Sequence, residues 1–259
     1  MKRFAWLSAA ALLAAGLSLT AASLSDRAGA QEAPAAPVDP AHAGLLLFNE
    51  PALSGSGKIS CATCHPRGGH TDNKTYVGLE VVKDGTPEGR SVPLLWGAKD
   101  TAPYSWAGGK TLKDNIKGII VNRMKGQSPT DEQLDRLIAY VESLDFPANP
   151  NLNPDGSPSA AAPAAARRGY QVFLKASCNS CHTPPVFSKK DNEDIGSGGS
   201  FSVPSLRGVA GTAPYFHDGR FATLRALIPA KLHYLKEMGS TEKITDKEIE
   251  DLLVYLNLL

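Results

Sequence analysis

Apolar residues recur at helical spacing in two segments, one near the middle of the chain and one at its end. Residues 134–144 and 249–259 place Leu, Ile or Val at about every third or fourth position, which predicts an amphipathic helix with one buried face. Thr130 and Thr245 precede these segments, and each is followed three residues later by Gln or Glu. This capping-box spacing predicts that each helix begins just after its threonine.

A further helix is predicted upstream of each of these two segments. Both upstream helices carry a glycine four residues before an aromatic ring, in the pairs Gly44 with Phe48 and Gly169 with Phe173. Because glycine has no side chain, a second helix can cross closely at that point while the ring packs beside it. No long alternating strand pattern occurs, and glycine and proline are frequent in the connecting segments. The pattern predicts a mainly α protein.

The chain contains an internal duplication. Residues 93–108 (PLLWGAKDTAPYSWAG) match residues 204–219 (PSLRGVAGTAPYFHDG) at an offset of 111 residues, and Thr-Leu follows each block. The segment between the two copies is rich in proline and alanine, which is typical of a linker. We therefore predict one domain over residues 31–146, a linker over 147–166 and a second domain over 167–259.

The first thirty residues have the pattern of an export signal. Lys2 and Arg3 precede an apolar stretch over residues 4–22, and Ala28-Gly29-Ala30 forms a cleavage site before Gln31. This predicts a signal peptide over residues 1–30 and a mature protein that is periplasmic or otherwise exported. An uncleaved membrane anchor is the alternative, since the apolar stretch is nearly long enough to cross a bilayer. The cleavage site favours removal, which leaves at most a peripheral contact with the membrane.

All four cysteines lie in two copies of the sequence Cys-x-x-Cys-His. These are Cys61-Ala-Thr-Cys64-His65 and Cys178-Asn-Ser-Cys181-His182, and the spacing is that of c-type haem attachment. The two thiols bind the vinyl groups of one haem, and the adjacent imidazole becomes the proximal iron ligand. A zinc site, a disulfide pair and a thioredoxin-like pair explain the residues less well, because none of them accounts for both histidines. We predict two covalently bound haems.

The sixth ligand of each haem iron is a separate question. Met124 and Met238 are the methionines that remain after the initiator, and each lies in the loop before the last helix of its half. A thioether in that position suits a six-coordinate electron carrier, so both are candidate ligands. The alternative is that either methionine simply fills apolar space. His70 and His233 are the competing candidates.

Two terminal helices that cross beside a covalent haem form the cytochrome c arrangement, so each half is predicted to be a cytochrome c-like domain. The chain also resembles the bacterial di-haem cytochrome c peroxidase/MauG superfamily. The resemblance covers nearly all of the mature chain, and its motifs are the first haem motif with Thr71-Asp72 behind it and the two segments Pro204-Ser-Leu-Arg207 and Thr212-Ala-Pro-Tyr-Phe-His-Asp-Gly-Arg220. It implies two facing haem domains, a small electron donor and, in some members, a peroxide-reactive haem.

The chain departs from the family at the residues that handle peroxide protons. Members of the family carry a Gln and a Glu ten residues apart, but here Asn115 and Arg123 stand near those positions in the first half. In the second half Glu237 matches the family glutamate, while Leu227 stands where the glutamine would be. The resemblance places Trp106 between the haems as an electron relay, although packing in the domain seam explains it nearly as well.

Other features are weaker. Arg90 and Arg207 are candidates for pairing with haem propionates, and the family leaves a calcium ion between the domains as an open cofactor. The formal net charge of +1 argues against nucleic acid as a partner.

Two functions are consistent with these features. The first is electron transfer between redox partners, with a small cytochrome c, a cupredoxin or a larger respiratory complex as the partner. The second is reduction of hydrogen peroxide by a di-haem cytochrome c peroxidase, or MauG-like oxidation of a partner protein, with Glu237 as the acid/base. Whether the protein is an enzyme is left open, and electron transfer is favoured.

Overall fold

The structure, a computed structural model, describes residues 39–237 and 242–259, with the side chains of residues 234, 235 and 237 left out. Residues 38–259 form one compact unit. The predicted signal peptide and Met238 lie outside the described residues. In the part of the chain that is described, no helix is both long enough and apolar enough to cross a membrane.

The described chain is mainly helical, as the sequence predicts. In the first half the helices are α1 (Pro40–Phe48), α2 (Cys61–Cys64), α3 (Pro66–Gly69), α4 (Leu112–Gly118) and α5 (Asp131–Glu142). A short π-helical turn over Ile119–Arg123 follows α4 directly. In the second half they are α6 (Ala164–Lys175), α7 (Leu224–Glu237) and α8 (Asp246–Leu256).

The two predicted helix crossings are both present and both depend on glycine. A Cβ atom added at Gly44 would lie 1.9 Å from the carbonyl oxygen of Arg136, so α1 crosses α5 in direct backbone contact. A Cβ atom added at Gly169 would lie 1.9 Å from the carbonyl oxygen of Asp251, where α6 crosses α8. Any larger residue would force either pair of helices apart. The prediction of close crossings is therefore confirmed in both halves.

The predicted capping boxes define where α5 and α8 begin. The Thr130 hydroxyl accepts a hydrogen bond from the Gln133 backbone N–H at 3.1 Å, and the Gln133 side chain accepts one from the Thr130 N–H at 2.9 Å. Thr245 and Glu248 repeat the arrangement at 3.3 and 2.8 Å. Both boxes satisfy backbone donors that the first helical turn leaves unpaired.

Two small antiparallel sheets were not expected from the sequence. Strands β1 (Thr75–Val77), β2 (Glu80–Val82) and β3 (Arg90–Ser91) form one sheet in the order β2-β1-β3. Strands β4 (Lys189–Asp194) and β5 (Ser200–Val203) form the other. Most of these strands are only two to four residues long, and β4 is charged (KKDNED) without a buried face. They therefore lack the alternating apolar pattern that would have identified them.

Each half has its own hydrophobic core. The first core is centred on Phe48, Ile120 and Leu137, which are at most 2% exposed. The second contains Phe173, Phe187 and Tyr255, which are fully buried and whose rings meet edge to face. The segment that joins the halves is attached to the second one, because the Tyr255 hydroxyl donates to the Gly156 carbonyl at 2.9 Å.

The halves meet around a local two-fold axis. The Ser91 N–H donates to the His217 carbonyl at 2.9 Å, and the Ser202 N–H donates to the Trp106 carbonyl at 3.0 Å. These bonds are equivalent under the offset of 111 residues. Trp106 and His217 are themselves equivalent, and their ring centroids lie 6.4 Å apart. Equivalent residues meet each other only close to a two-fold axis, so the axis passes between these two rings.

Candidate haem sites

Both Cys-x-x-Cys-His motifs line one continuous cavity of about 1020 Å³. A pocket for one small ligand has a volume of about 300–1,000 Å³, so this cavity is at or above the upper limit of that range. Its walls are mainly apolar and come from both halves, and Trp106, Phe201 and His217 line its middle. We call the part next to His65 the first cradle and the part next to His182 the second cradle.

Short helical turns place each histidine directly after its cysteine pair. The His65 N–H donates to the Cys61 carbonyl at 2.9 Å, and the His182 N–H donates to the Cys178 carbonyl at 2.8 Å. One helical turn therefore separates the first thiol from the imidazole in both cradles. All four cysteines are free thiols, and burial raises the pKa of Cys61 and of Cys178 to about 11. They stay protonated rather than acting as exposed reactive thiolates.

Both imidazoles are neutral and available as ligands. Burial, with a smaller contribution from the positive charge of Arg123, lowers the pKa of His65 to about 4. Burial and the charge of Lys231 lower the pKa of His182 to about 4 in the same way. Nδ1 of His182 lies 3.1 Å from the Phe187 carbonyl, which leaves Nε2 to bind a metal. Nδ1 of His65 is buried and has no hydrogen-bond partner in the described structure.

These residues fit covalent haem. Each cradle pairs two thiols with a neutral imidazole, as thioether attachment and proximal ligation require. Nε of Arg207 lines the same cavity, is buried and lacks a partner among the described residues, so a haem carboxylate would satisfy it. Arg90 also lines the cavity, but its guanidinium already donates to the Pro87 and Gly89 carbonyls. Arg207 is therefore the stronger candidate of the two for contact with a propionate.

Met124 lies in the wall of the first cradle. It is 5% exposed and packs within the first core. Its N–H donates to Ile119 at the end of the π-helical turn, and its carbonyl accepts from Gly55. Gly126 lies so close to Leu53 that a Cβ atom there would be 1.9 Å from the Leu53 carbonyl oxygen. The Met124 backbone is thus fixed on both sides, and its thioether shares the cavity with His65.

The competing histidines do not line the cavity. His70 packs edge to face on Trp96, with its Nδ1 3.1 Å from the Thr71 carbonyl. His233 is exposed on α7. Neither is among the residues that line the cavity.

The wall of the second cradle is formed by α7. Leu224, Leu227, Ile228 and Lys231 all line the cavity, and their spacing places them on one face of the helix. Met238 lies outside the described residues, and Glu237 is the last residue of α7, with a side chain that is not described. The sequence analysis missed Lys231. Its signal was a lysine at positions i+7, i+4 and i+3 from three apolar residues that share a helix face.

Trp106 lies at the seam between the two cradles. Its indole Nε1–H donates to the Ser91 carbonyl at 2.8 Å, and its ring faces His217. His217 is 5% exposed and stacks on Phe201 at 3.8 Å. The structure thus places Trp106 next to both cradles, a position that suits electron relay and seam packing equally.

Carboxylates are scarce around the cavity. Among the described residues that line it, Glu193 is the single Asp or Glu, and Lys189 forms an ion pair with it. Asn115 and Arg123 line the first cradle, but the Arg123 Nε–H donates to the Gly78 carbonyl at 2.6 Å. The first cradle therefore lacks a described carboxylate that could move a peroxide proton.

Comparisons with known proteins agree with this geometry. Residues 40–146 match the family model described as di-haem cytochrome c peroxidase, and residues 166–259 match that of cytochrome c. The chain is 24% identical to hydrazine synthase subunit gamma of Kuenenia stuttgartiensis, over 83% of this chain and 76% of that one. It is 28% identical to the methylamine utilization protein MauG of Methylorubrum extorquens, over the same shares of the two chains.

The fold has a similar match among solved structures. A chain of Kuenenia stuttgartiensis hydrazine synthase superposes with a TM-score of 0.68 at 22% identity, covering 86% of this chain and 89% of that one.

The fold and the two cradles define a c-type cytochrome with two covalently bound haems in tandem cytochrome c-like domains. The chain belongs to the bacterial di-haem cytochrome c peroxidase/MauG superfamily, as its motifs indicated.

Proposed function

We propose that the protein transfers electrons between redox partners and that both of its haem irons carry six ligands. The observation that carries this proposal is the pairing of Met124 with His65 in the first cradle, together with the lack of a described carboxylate there. A thioether opposite an imidazole is a ligand set of electron-carrying cytochromes. A peroxidase needs an open iron and an acid/base beside it.

The residues of the chain determine how easily the site changes charge. A bound haem supplies the one-electron change between ferric and ferrous iron. Met124 is held by backbone hydrogen bonds on both sides, and the His182 ring is positioned by the Phe187 carbonyl. Ligands fixed in this way move little when the charge changes, which keeps the reorganisation energy small. The apolar walls exclude water from the cavity, which favours the same result.

Peroxide reduction is the second candidate, and the family membership supports it. Glu237 is the acid/base that this alternative requires, and Trp106 at the seam is its electron relay. The alternative needs one iron to be open, or to become open when the other is reduced.

Peroxide turnover by the holoprotein separates the two functions. The fully oxidised and the one-electron-reduced protein are mixed with hydrogen peroxide and a reduced small cytochrome c as donor. We expect electron exchange with the donor but no peroxide-dependent donor oxidation in wild type. Met124→Gly, which removes the candidate ligand, is the matched positive control because it opens the first iron. Wild-type turnover that disappears in Glu237→Gln at unchanged haem content would establish the peroxidase instead.

Partners, location and calcium belong to the proposal as expectations. A small cytochrome c, a cupredoxin or a larger respiratory complex would exchange electrons with the exported protein. N-terminal sequencing of the mature protein tests export, with Gln31 as the expected first residue. The amide of Asn73 donates to the Gly211 and Ala213 carbonyls, so these oxygens are the candidate calcium ligands between the halves. Retention of calcium by the purified holoprotein after dialysis against a chelator would support that ion.

A further inference from the structure

Lys231 is placed where a lysine is costly unless it has a partner. Its side chain lines the second cradle on the same helix face as Leu224, Leu227 and Ile228. Lysines normally bury their methylene groups and keep the ammonium in water. Here Nζ lies 4.9 Å from the centre of the Phe216 ring. No carboxylate of the described residues forms an ion pair with it.

We propose that Nζ of Lys231 is the sixth ligand of the second haem iron. The proposal rests on the proposed function, because it supplies the cap that a six-coordinate second haem needs. The amine shares the second cradle with His182 and both cysteines of that motif, so thioether attachment brings a haem into the same space. A neutral amine has one lone pair to donate. Burial, which lowers the pKa of Lys231 to about 8, makes that form accessible near neutral pH.

Other donors in the second cradle are already engaged. His217 lies at the seam, stacked on Phe201 and facing Trp106. The Tyr215 hydroxyl donates to the Ala210 carbonyl at 3.3 Å, and Glu193 is paired with Lys189. Among the described side chains of this cradle, Lys231 is the nitrogen donor on the α7 wall that no carboxylate holds.

The duplication makes the position of Lys231 informative. Thr111-Leu112 corresponds to Thr223-Leu224, an offset of 112 residues, so Lys231 corresponds to Ile119. Ile119 begins the π-helical turn that leads to Met124, whereas Lys231 lies within the regular helix α7. The first cradle therefore places an apolar side chain where the second places an amine, and supplies its candidate ligand five residues later.

Met238 is the rival ligand, and its distance along the chain separates it from Lys231. It follows Lys231 by seven residues, which corresponds to about 10 Å along a helix axis. One iron cannot bind both residues at once while α7 keeps its structure. Single substitutions therefore discriminate between them.

The experiment uses the di-haem protein and reads ligation directly. Low-temperature EPR and optical spectra are recorded for wild type, Lys231→Leu, Lys231→Met and Met238→Leu. Lys236→Leu, an exposed lysine on the same helix, is the matched control. In Lys231→Leu we expect one of the two haems to become high-spin while the other is unchanged. We also expect that haem to bind added imidazole more tightly by a factor on the order of 10 or more, because no internal ligand competes.

Lys231→Met keeps the test independent of folding. A thioether at this position is expected to restore a low-spin haem with a higher reduction potential. Lys236→Leu and Met238→Leu should retain the wild-type spectra. If wild type has two low-spin haems and Lys231→Leu leaves both unchanged, Lys231 is not the ligand and the electron-transfer proposal stands. If wild type already contains a high-spin haem, the six-coordinate proposal itself fails.

Discussion

The two cradles share their attachment residues and differ in the wall that faces them. Both motifs place a histidine one helical turn after a cysteine, and both Ser-Val-Pro segments make the same hydrogen bond across the seam. The facing wall is α4 and a π-helical turn ending at Met124 in the first half, and the longer helix α7 in the second. The duplication thus preserved covalent attachment and the two-fold seam, while the wall that determines the sixth ligand diverged.

Met124→Leu should have the largest effect on this comparison. The first iron would lose its soft ligand, and we expect its reduction potential to fall by on the order of 0.2 V within the ~0.8 V range that axial ligands span. The second haem should keep its potential, because the substituted side chain lies in the other cradle. A spectroelectrochemical titration that resolves the two haems measures both values. Equal shifts in both haems would contradict separate ligand sets.

The glycine crossings should behave alike in the two halves. Gly44→Ala and Gly169→Ala each place a Cβ atom 1.9 Å from a backbone oxygen, so the helices must separate at a cost of about 3 kcal/mol in the free energy of unfolding. Gly118 is the matched control, because it is also helical and has no atom closer than 3.8 Å to the added Cβ. Gly118→Ala should leave stability unchanged or raise it by up to about 1 kcal/mol. Urea unfolding that ranks Gly118→Ala with the other two would refute the close-crossing account.

Trp106→Phe tests the seam. The substitution keeps an aromatic ring beside His217 but removes the 2.8 Å hydrogen bond to the Ser91 carbonyl, which is expected to cost about 1 kcal/mol. If Trp106 only packs the seam, the rate of electron equilibration between the haems should stay within about twofold after this correction for stability. Flash photolysis measures that rate. A much slower exchange in a fully folded variant would assign Trp106 a relay role.

Acid should weaken one crossing more than the other. Arg168 from α6 and Lys247 from α8 both bind Asp251, and their hydrogen bonds lower its pKa to about 2. Because the folded-state pKa lies below the unfolded value, this carboxylate contributes stability that is complete above about pH 4. That contribution is lost as the pH falls towards 2. Asp251→Asn should therefore flatten the fall in stability between pH 4 and 2 in thermal unfolding scans.

The first crossing has no comparable bridge between its helices. At the position equivalent to Asp251, Arg136 pairs with Glu132 within α5, where exposed pairs contribute little. Glu132→Gln is thus the matched control, and its pH profile should follow wild type. A profile that changes as much as that of Asp251→Asn would contradict the difference between the crossings.

The sequence predicted features that depend on local or repeated patterns. The capping boxes at Thr130 and Thr245, the glycine crossings and the haem motifs each follow from a fixed spacing, and the helices and close contacts lie where the spacing placed them. The strands were missed because they are short and polar, and their pairing depends on long-range partners such as Ser91 with His217. Lys231 was missed because a lysine on an apolar helix face looks like a solvated residue until the cavity beside it is known.

Low-temperature EPR of the fully oxidised protein, repeated after the addition of one electron per molecule, tests the central claim most directly. The account predicts two distinct low-spin ferric signals at first, because Met124 and Lys231 are different caps. After one electron is added, the remaining ferric haem should still be low-spin. A high-spin ferric signal in either sample would mean an open iron, and would contradict a carrier with both irons capped.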